Sequence, residues 1–147
     1  MSTVKNIQNL KLVNTDMRIF VLEDTQTMLD QIYVDLQKLG VKKESIAHAM
    51  TIKDALTKIP AFKPQFIISD LNLPDGKGLS LVKAIRKEKS FDKVPIMMLT
   101  TESEVKYILE AISLGAQEYC TKPWELKILV DKMNYAWEKL HKNNLAA

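Results

Sequence analysis

The sequence is poor in cysteine, glycine and proline. It has 4 Gly and 5 Pro among 147 residues, which excludes collagen-like and low-complexity chains. The single cysteine, Cys120, cannot form a disulfide within the chain, so we expect a reducing, cytoplasmic location. No apolar run approaches the roughly 18 residues of a membrane span, and the N-terminal region lacks the apolar core of a signal peptide. We therefore expect neither membrane insertion nor secretion.

The sequence also lacks a strong charge of either sign. Its 21 Lys and Arg against 18 Asp and Glu give a net charge of +3, and no basic block occurs that would indicate nucleic-acid binding. A hydrophobic fraction of 46% and a charged fraction of 27% are typical of one folded domain of this length. We place that domain at residues 17–141, after a loosely held leader (1–16) and before a short tail (142–147).

Five short segments read as strands. They are Arg18–Leu22, Ser45–Ala49, Gln65–Ser69, Pro95–Leu99 and Gln117–Thr121. The first, third and fourth are continuous apolar runs, as in central parallel strands that are buried on both faces. The second and fifth are more polar, which is typical of strands at or near a sheet edge.

Segments with helical periodicity follow each predicted strand. Thr51 and Asp54 have the spacing of a capping box that opens the second helix, and Pro60 is expected to end it. Alternating strands and helices predict an α/β fold with a doubly wound, parallel, five-stranded sheet and five helices on its two faces. The common strand order for such a sheet is 2-1-3-4-5, the flavodoxin-like arrangement, and it places a ligand site at the carboxyl ends of the strands.

Polar side chains follow four of the five predicted strands. These residues are Glu23 and Asp24, Asp70, Thr100, and Lys122. In the predicted strand order the ends of strands one, three, four and five are neighbours, so three carboxylates, a hydroxyl and an ammonium converge on one edge. This arrangement predicts a functional site.

The three carboxylates require a compensating cation, because like charges within a few ångström repel. The oxygen donors favour Mg²⁺, with Mn²⁺ as an alternative, over Zn²⁺. A phosphoryl group suits this site, since its oxygens can bridge a metal ion and Lys122 while Thr100 donates a hydrogen bond. Asp70 is then the candidate nucleophile.

An ordered set of motifs resembles the receiver domain of two-component response regulators, in particular the single-domain chemotaxis type. The motifs are Glu23-Asp24, Asp70-Leu71-Asn72-Leu73-Pro74-Asp75-Gly76, Thr100, and Tyr119 with Lys122-Pro123. The resemblance extends from about Met17 to His141.

The resemblance implies a phosphoryl acceptor at Asp70, with Lys122 and Thr100 contacting the phosphoryl oxygens. It implies these Mg²⁺ ligands: Glu23, Asp24, Asp70 and the backbone carbonyl of Asn72. Asn72 and Glu102 match positions that tune dephosphorylation, and their residue types predict a short-lived phosphoryl state.

The resemblance also implies a conformational switch. Thr100 moves toward the added phosphoryl group and Tyr119 rotates into the vacated space. The surface of the fourth helix, fifth strand and fifth helix changes as a result. We expect a signalling protein, with no enzymatic activity beyond phosphorylation and dephosphorylation of Asp70 itself.

Two features near the site depart from the family's usual pattern. Thr101 follows Thr100 where a small residue is usual, and Trp124 replaces the usual Phe after Lys122-Pro123. We expect Trp124 to fill the core near this bend, and the Lys122-Pro123 bond to be cis.

We expect a stand-alone receiver, because few residues follow the fifth helix. Its expected partners are a histidine kinase or histidine phosphotransfer protein and a downstream target, either a flagellar switch or a relay component. We expect a monomer, with dimerisation through the fourth helix, fifth strand and fifth helix as the alternative. One alternative function is a haloacid-dehalogenase-like phosphatase, although Asn72 stands where its second Asp is required. Another is a pseudo-receiver that binds partners without phosphorylation.

Overall fold

The computed structural model describes residues 10–141. Strands and helices alternate along this part of the chain. Their bounds are β1 Ile19–Leu22, α1 Gln26–Lys38, β2 Ile46–Ala49, α2 Ile52–Phe62, β3 Phe66–Ser69, α3 Gly78–Arg86, β4 Ile96–Thr100, α4 Val105–Leu114, β5 Glu118–Thr121 and α5 Leu126–His141. A small antiparallel hairpin, Asn72–Leu73 with Gly76–Lys77, lies between β3 and α3. The predicted tail, 142–147, lies outside the described residues.

The five strands form one parallel sheet in the order β2-β1-β3-β4-β5. This order confirms the predicted doubly wound, flavodoxin-like fold. Every residue of β1, β3 and β4 is buried, whereas β2 and β5, at the two edges, are partly exposed. The continuous apolar runs therefore identified the central strands correctly, because those strands are covered on both faces.

Helices cover the sheet on both faces and enclose two separate cores. Residues of α1 and α5 pack on one face, against side chains such as Val21, Ile68 and Leu99. Residues of α2, α3 and α4 pack on the other face, against Phe20, Ile67 and their neighbours. Among residues 10–141, no helix has the length and apolarity that crossing a membrane requires.

The second helix begins as predicted but ends later than predicted. The Thr51 side chain accepts a hydrogen bond from the backbone N–H of Asp54, 3.1 Å away, and caps α2. Pro60 lies inside the helix, which continues to Phe62. A proline in the last turn removes only its own hydrogen bond, to the carbonyl of Leu56 on the exposed side of the helix. The expectation that Pro60 ends α2 was therefore wrong by two residues.

The part of the predicted leader that the structure describes is packed against the domain. Leu12 is buried against the α1 and α5 face. The backbone N–H of Val13 donates to Asn134 Oδ1 of α5 at 2.8 Å. An apolar side chain and a backbone hydrogen bond therefore attach this part of residues 10–16 to the domain. Residues 1–9 lie outside the described part of the chain.

Candidate functional site

Backbone hydrogen bonds align the carboxyl ends of four strands at one edge of the sheet. The N–H of Asp70 donates to the Leu22 carbonyl at 2.9 Å, and the N–H of Lys122 donates to the Thr100 carbonyl at 2.9 Å. Each bond continues a strand ladder by one step beyond the apolar run. The polar residues that follow the strands are thereby brought to a common edge, as the predicted topology requires.

The three predicted carboxylates form one acidic cluster. Oxygen atoms of Glu23, Asp24 and Asp70 all lie within 4.8 Å of one another. Glu23 and Asp70 are buried, at 1% and 8% exposure, while Asp24 is exposed. Such a set of hard oxygen donors, open to solvent on the Asp24 side, fits an ion of the Mg²⁺ type. The chemistry of the donors thus agrees with the predicted metal.

Lys122 is the cation that balances part of this cluster. Its ammonium nitrogen lies 2.5 Å from Glu23 Oε1 and 2.7 Å from Asp70 Oδ2, and its side chain is only 7% exposed. Burial alone lowers the pKa of the Lys122 ammonium. The hydrogen bonds that Lys122 donates to Asp70 and Glu23, together with the negative charges of these two carboxylates, outweigh that effect, so the pKa of Lys122 is raised above its ordinary value. Lys122 therefore stays charged at neutral pH.

The backbone around Asp70 fixes its carboxylate and leaves no room for a larger neighbour. Asp70 Oδ1 accepts hydrogen bonds from the N–H groups of Leu71 and Asn72, at 2.6 and 3.2 Å. Gly78, the first residue of α3, passes so close that a Cβ atom there would lie 2.2 Å from the Asp70 carbonyl oxygen. The third strand, the following loop and the start of α3 can meet in this way only with glycine at position 78.

Thr100 is the last residue of β4 and is fully buried. Its hydroxyl oxygen accepts a hydrogen bond from the N–H of Glu102 at 3.1 Å, and the hydroxyl hydrogen remains available for donation. The Glu102 carboxylate accepts from the N–H of Glu104, at the start of α4. Thr100 and Glu102 therefore order the turn between β4 and α4.

Tyr119 lies on β5, in register with Met98, on the same face of the sheet as Thr100. Its side chain is half-buried against the α2, α3 and α4 core. The ammonium of Lys132 lies 4.8 Å from the centre of the Tyr119 ring, in cation–π contact. The structure thus places the predicted switch residue beside α5 and two residues from the level of Thr100.

The small hairpin after Asp70 carries contacts that sequence reasoning missed. Asn72 Oδ1 accepts a hydrogen bond from the Lys77 ammonium, across the hairpin, at 2.6 Å. The Asp75 carboxylate accepts from the N–H groups of Ile52 and Lys53, at 2.9 and 3.0 Å, and so caps α2. Those two hydrogen bonds lower the pKa of Asp75. A Pro-Asp-Gly turn indicates the hairpin, but no local pattern indicates a cap on a helix more than twenty residues earlier.

Trp124 has a polar contact as well as a packing role. It packs against the α1 and α5 core, as expected, but its indole N–H also donates to Asp35 Oδ2 of α1 at 2.7 Å. The expectation that Trp124 fills the core was therefore incomplete, because it did not include this hydrogen bond. The Lys122-Pro123 bond is cis, as predicted.

Comparison with known proteins agrees with this geometry. Residues 19–134 match the response regulator receiver domain family. The chain is 30% identical over 132 residues to the chemotaxis protein CheY-3 of Vibrio cholerae, which covers 88% of this chain and 98% of that protein. It is 35% identical over 118 residues to a CheY homolog of Campylobacter jejuni, covering 80% of this chain and 89% of that protein.

Solved structures give the same result. The chemotaxis response regulator CheY4 of Vibrio cholerae superposes with a TM-score of 0.74 at 27% identity, covering 83% of this chain and 99% of that one. A putative response regulator from Chloroflexus aurantiacus shares the fold, with a TM-score of 0.76 at 24% identity over 83% of this chain and 98% of that one. The chain belongs to the response regulator receiver domain family.

Proposed function

We propose that the protein is a response regulator that accepts a phosphoryl group on Asp70, from the phosphohistidine of a histidine kinase or phosphotransfer protein. The observation that carries this proposal is the arrangement of one carboxylate, Asp70, between a buried ammonium and two further carboxylates. The ammonium of Lys122 neutralises charge on one side, and Glu23 with Asp24 offers a metal-binding surface on the other. A purely structural ion pair does not need the third carboxylate.

The residues proposed to hold Mg²⁺ are Glu23, Asp24, Asp70 and the backbone carbonyl of Asn72. The bound ion supplies neutralisation of the phosphoryl oxygens and fixes their orientation. An oxygen of Asp70 forms the new bond to phosphorus as the bond from phosphorus to the histidine nitrogen breaks, and the donor histidine leaves neutral or takes up a proton from water. Lys122 then pairs with the phosphoryl oxygens, and the free hydroxyl hydrogen of Thr100 donates to one of them.

Hydrolysis of the aspartyl phosphate is the step that Asn72 and Glu102 are proposed to tune. Both lie on turns that directly follow site residues, and both side chains are partly or fully exposed. The Lys77 ammonium donates a hydrogen bond to the side-chain oxygen of Asn72, so the NH₂ group of Asn72 is the part of the amide that can contact a water molecule. We expect a phosphoryl state that is short-lived.

The output surface proposed for this protein is formed by α4, β5 and α5. On α4, Val105, Leu109 and Ile112 form an exposed apolar stripe at helical spacing, with exposures of 64%, 58% and 39%. Movement of Thr100 and Tyr119 changes this surface, because both flank α4. The stripe supports a downstream protein partner, either a flagellar switch or a relay component, and it is also the face through which a dimer would form.

Intact-mass measurement with acetyl phosphate and Mg²⁺ tests the proposal. We expect one added phosphate on the wild type, none on Asp70→Asn, and none on the wild type in the presence of EDTA. Addition of phosphate to the Asp70→Asn variant, or no addition to the wild type, contradicts the proposal. Repeated turnover of many phosphate esters would favour the phosphatase alternative, and partner binding that Asp70→Asn leaves unchanged would favour the pseudo-receiver.

A further inference from the structure

A second buried carboxylate lies outside the acidic cluster. Asp35, on α1, is 6% exposed, and its two oxygens accept hydrogen bonds from Gln31 Nε2 at 2.9 Å and from Trp124 Nε1 at 2.7 Å. Within residues 10–141 no basic side chain lies at ion-pair distance from it. A buried carboxylate without a cation depends on its hydrogen-bond donors, so the indole N–H is one of two groups that stabilise Asp35 in place.

The Asp35–Trp124 hydrogen bond joins the two chain segments that carry the opposite charges of the site. Trp124 comes two residues after Lys122, and α1 begins two residues after Asp24. The ammonium of Lys122 in turn contacts Glu23, directly before Asp24. The β5–α5 turn and α1 are therefore connected twice, once inside the site and once below it.

The indole ring has free space on one side. A surface recess of about 120 Å³ borders the pair and is lined by Met28, Gln31, Asp35, Pro123 and Trp124. Space beside the ring allows Pro123 and Trp124 to shift if the hydrogen bond is lost. Such a shift also moves Lys122, the residue before Pro123. The Lys122 ammonium lies 2.5 Å from Glu23 Oε1 and 2.7 Å from Asp70 Oδ2.

We infer that Asp35 and Trp124 are positioning residues, whose hydrogen bond holds Lys122 at the distance from Glu23 and Asp70 that phosphoryl transfer requires. This inference rests on the proposed function. Neither residue touches the reacting atoms; both act through the backbone of the β5–α5 turn.

Loss of the hydrogen bond has two consequences of opposite direction. Lys122 competes with Mg²⁺ for the oxygens of Glu23 and Asp70, so a less firmly held ammonium allows Mg²⁺ to bind tighter, by about threefold. Loss of the hydrogen bond also slows phosphorylation by acetyl phosphate by about tenfold, because Lys122 is no longer correctly positioned to contact the transferred phosphoryl group. A general loss of stability weakens both processes, so the opposite signs distinguish positioning from structure.

Trp124→Phe is the main test, because it removes the donor and keeps an aromatic ring. Trp137→Phe is the matched control: it makes the same change at the other tryptophan, which stacks on His141. Asp35→Asn keeps an acceptor oxygen but removes its charge, so we expect an intermediate effect. Asp35→Asn also keeps the inference testable if Trp124→Phe does not fold.

Two measurements are made on each folded variant: the Mg²⁺ dissociation constant and the phosphorylation rate with acetyl phosphate. The indole N–H resonance of Trp124 is followed in the wild type, Trp137→Phe and Asp35→Asn. Trp137→Phe identifies the Trp124 resonance, and we expect Asp35→Asn to shift it. In a Lys122→Met background, Trp124→Phe should leave the Mg²⁺ affinity unchanged, because the residue through which it acts is absent.

The inference is overturned if Trp124→Phe changes Mg²⁺ affinity and phosphorylation no more than Trp137→Phe does. It is equally overturned if both processes weaken together, or if the Lys122→Met background does not suppress the effect on Mg²⁺ affinity. If the wild type gains no phosphate, the proposed function fails, and the Mg²⁺ affinities with the indole resonance still decide whether Asp35 and Trp124 position Lys122.

Discussion

Asp24 is the exposed member of the acidic cluster, and its charge opposes folding when no metal is bound. Its carboxylate lies within 4.8 Å of oxygens of Glu23 and Asp70, and no basic group within the described ranges is at ion-pair distance from it. Substituting Asp24→Asn removes this repulsion. We therefore expect the metal-free variant to be more stable than the wild type.

The size of this gain in stability follows from the distances between the carboxylates. Two like charges 4.8 Å apart repel by about 0.9 kcal/mol in bulk water and by about 3.5 kcal/mol at an effective dielectric constant near 20. The positive charge of Lys122 offsets one of the two negative charges of Glu23 and Asp70. About one unit of negative charge therefore remains to repel the Asp24 carboxylate. Because Asp24 is exposed and screened by salt, we take the lower limit and expect a gain of about 1 kcal/mol.

Addition of Mg²⁺ should reverse the order of stability. A wild-type protein at Mg²⁺ concentrations of about 100 times the dissociation constant gains roughly 2.7 kcal/mol. Asp24→Asn loses a charged ligand and should gain much less. Urea denaturation with EDTA and with Mg²⁺ measures both effects. Asp30→Asn, an equal change of charge on the exposed side of α1, serves as the control and should respond to Mg²⁺ as the wild type does.

Two results would refute this reasoning. If Asp24→Asn is less stable than the wild type in EDTA, repulsion does not dominate at this position. If Mg²⁺ stabilises both proteins equally, Asp24 is not a ligand of the ion.

Three further predictions test other features of the fold. Gly78→Ala places a methyl group against the Asp70 carbonyl, so we expect a loss of about 1–3 kcal/mol in urea denaturation, where an ordinary helical position would gain stability. Arg86→Met removes four part-buried hydrogen bonds that the guanidinium donates and should lower the unfolding free energy by about 3 kcal/mol; an unchanged urea midpoint would contradict this. Burial lowers the pKa of His48 and of His141 below 6.5, so both stabilise the fold at higher pH, and this contribution is lost as pH falls through the lowered pKa values. The urea midpoint should therefore fall between pH 7 and pH 5, less steeply in His48→Gln and in His141→Gln, and parallel slopes in all three proteins would show that neither histidine is responsible.

The strand order and the position of the site were predictable because both depend on local patterns and one topological rule. Apolar runs such as Phe66–Ser69 identify central strands, and the residues that follow them must share one edge of a parallel sheet. Boundaries were less accurate. Each predicted strand begins one residue early, and β4 extends through Thr100, which was placed after it.

Contacts between distant segments were not predictable. The cap that Asp75 gives to Ile52, and the bond from Trp124 to Asp35, join residues 23 and 89 positions apart. Neither pairing leaves a spacing signature, because each partner alone reads as an ordinary turn or helix residue. Gly78 carried a signal that was overlooked: glycine at the start of a helix is unfavourable unless backbone passes close by.

Because Asp75 caps α2, the exchange rates of the Ile52 and Lys53 amide hydrogens depend on the position of the loop that follows Asp70. Their hydrogens are protected by a carboxylate on the hairpin rather than by α2 itself. Any ligand that pulls the hairpin away uncovers these two amides and frays the first turn of α2. Hydrogen–deuterium exchange at two positions far along the chain therefore reports when the acceptor loop is displaced.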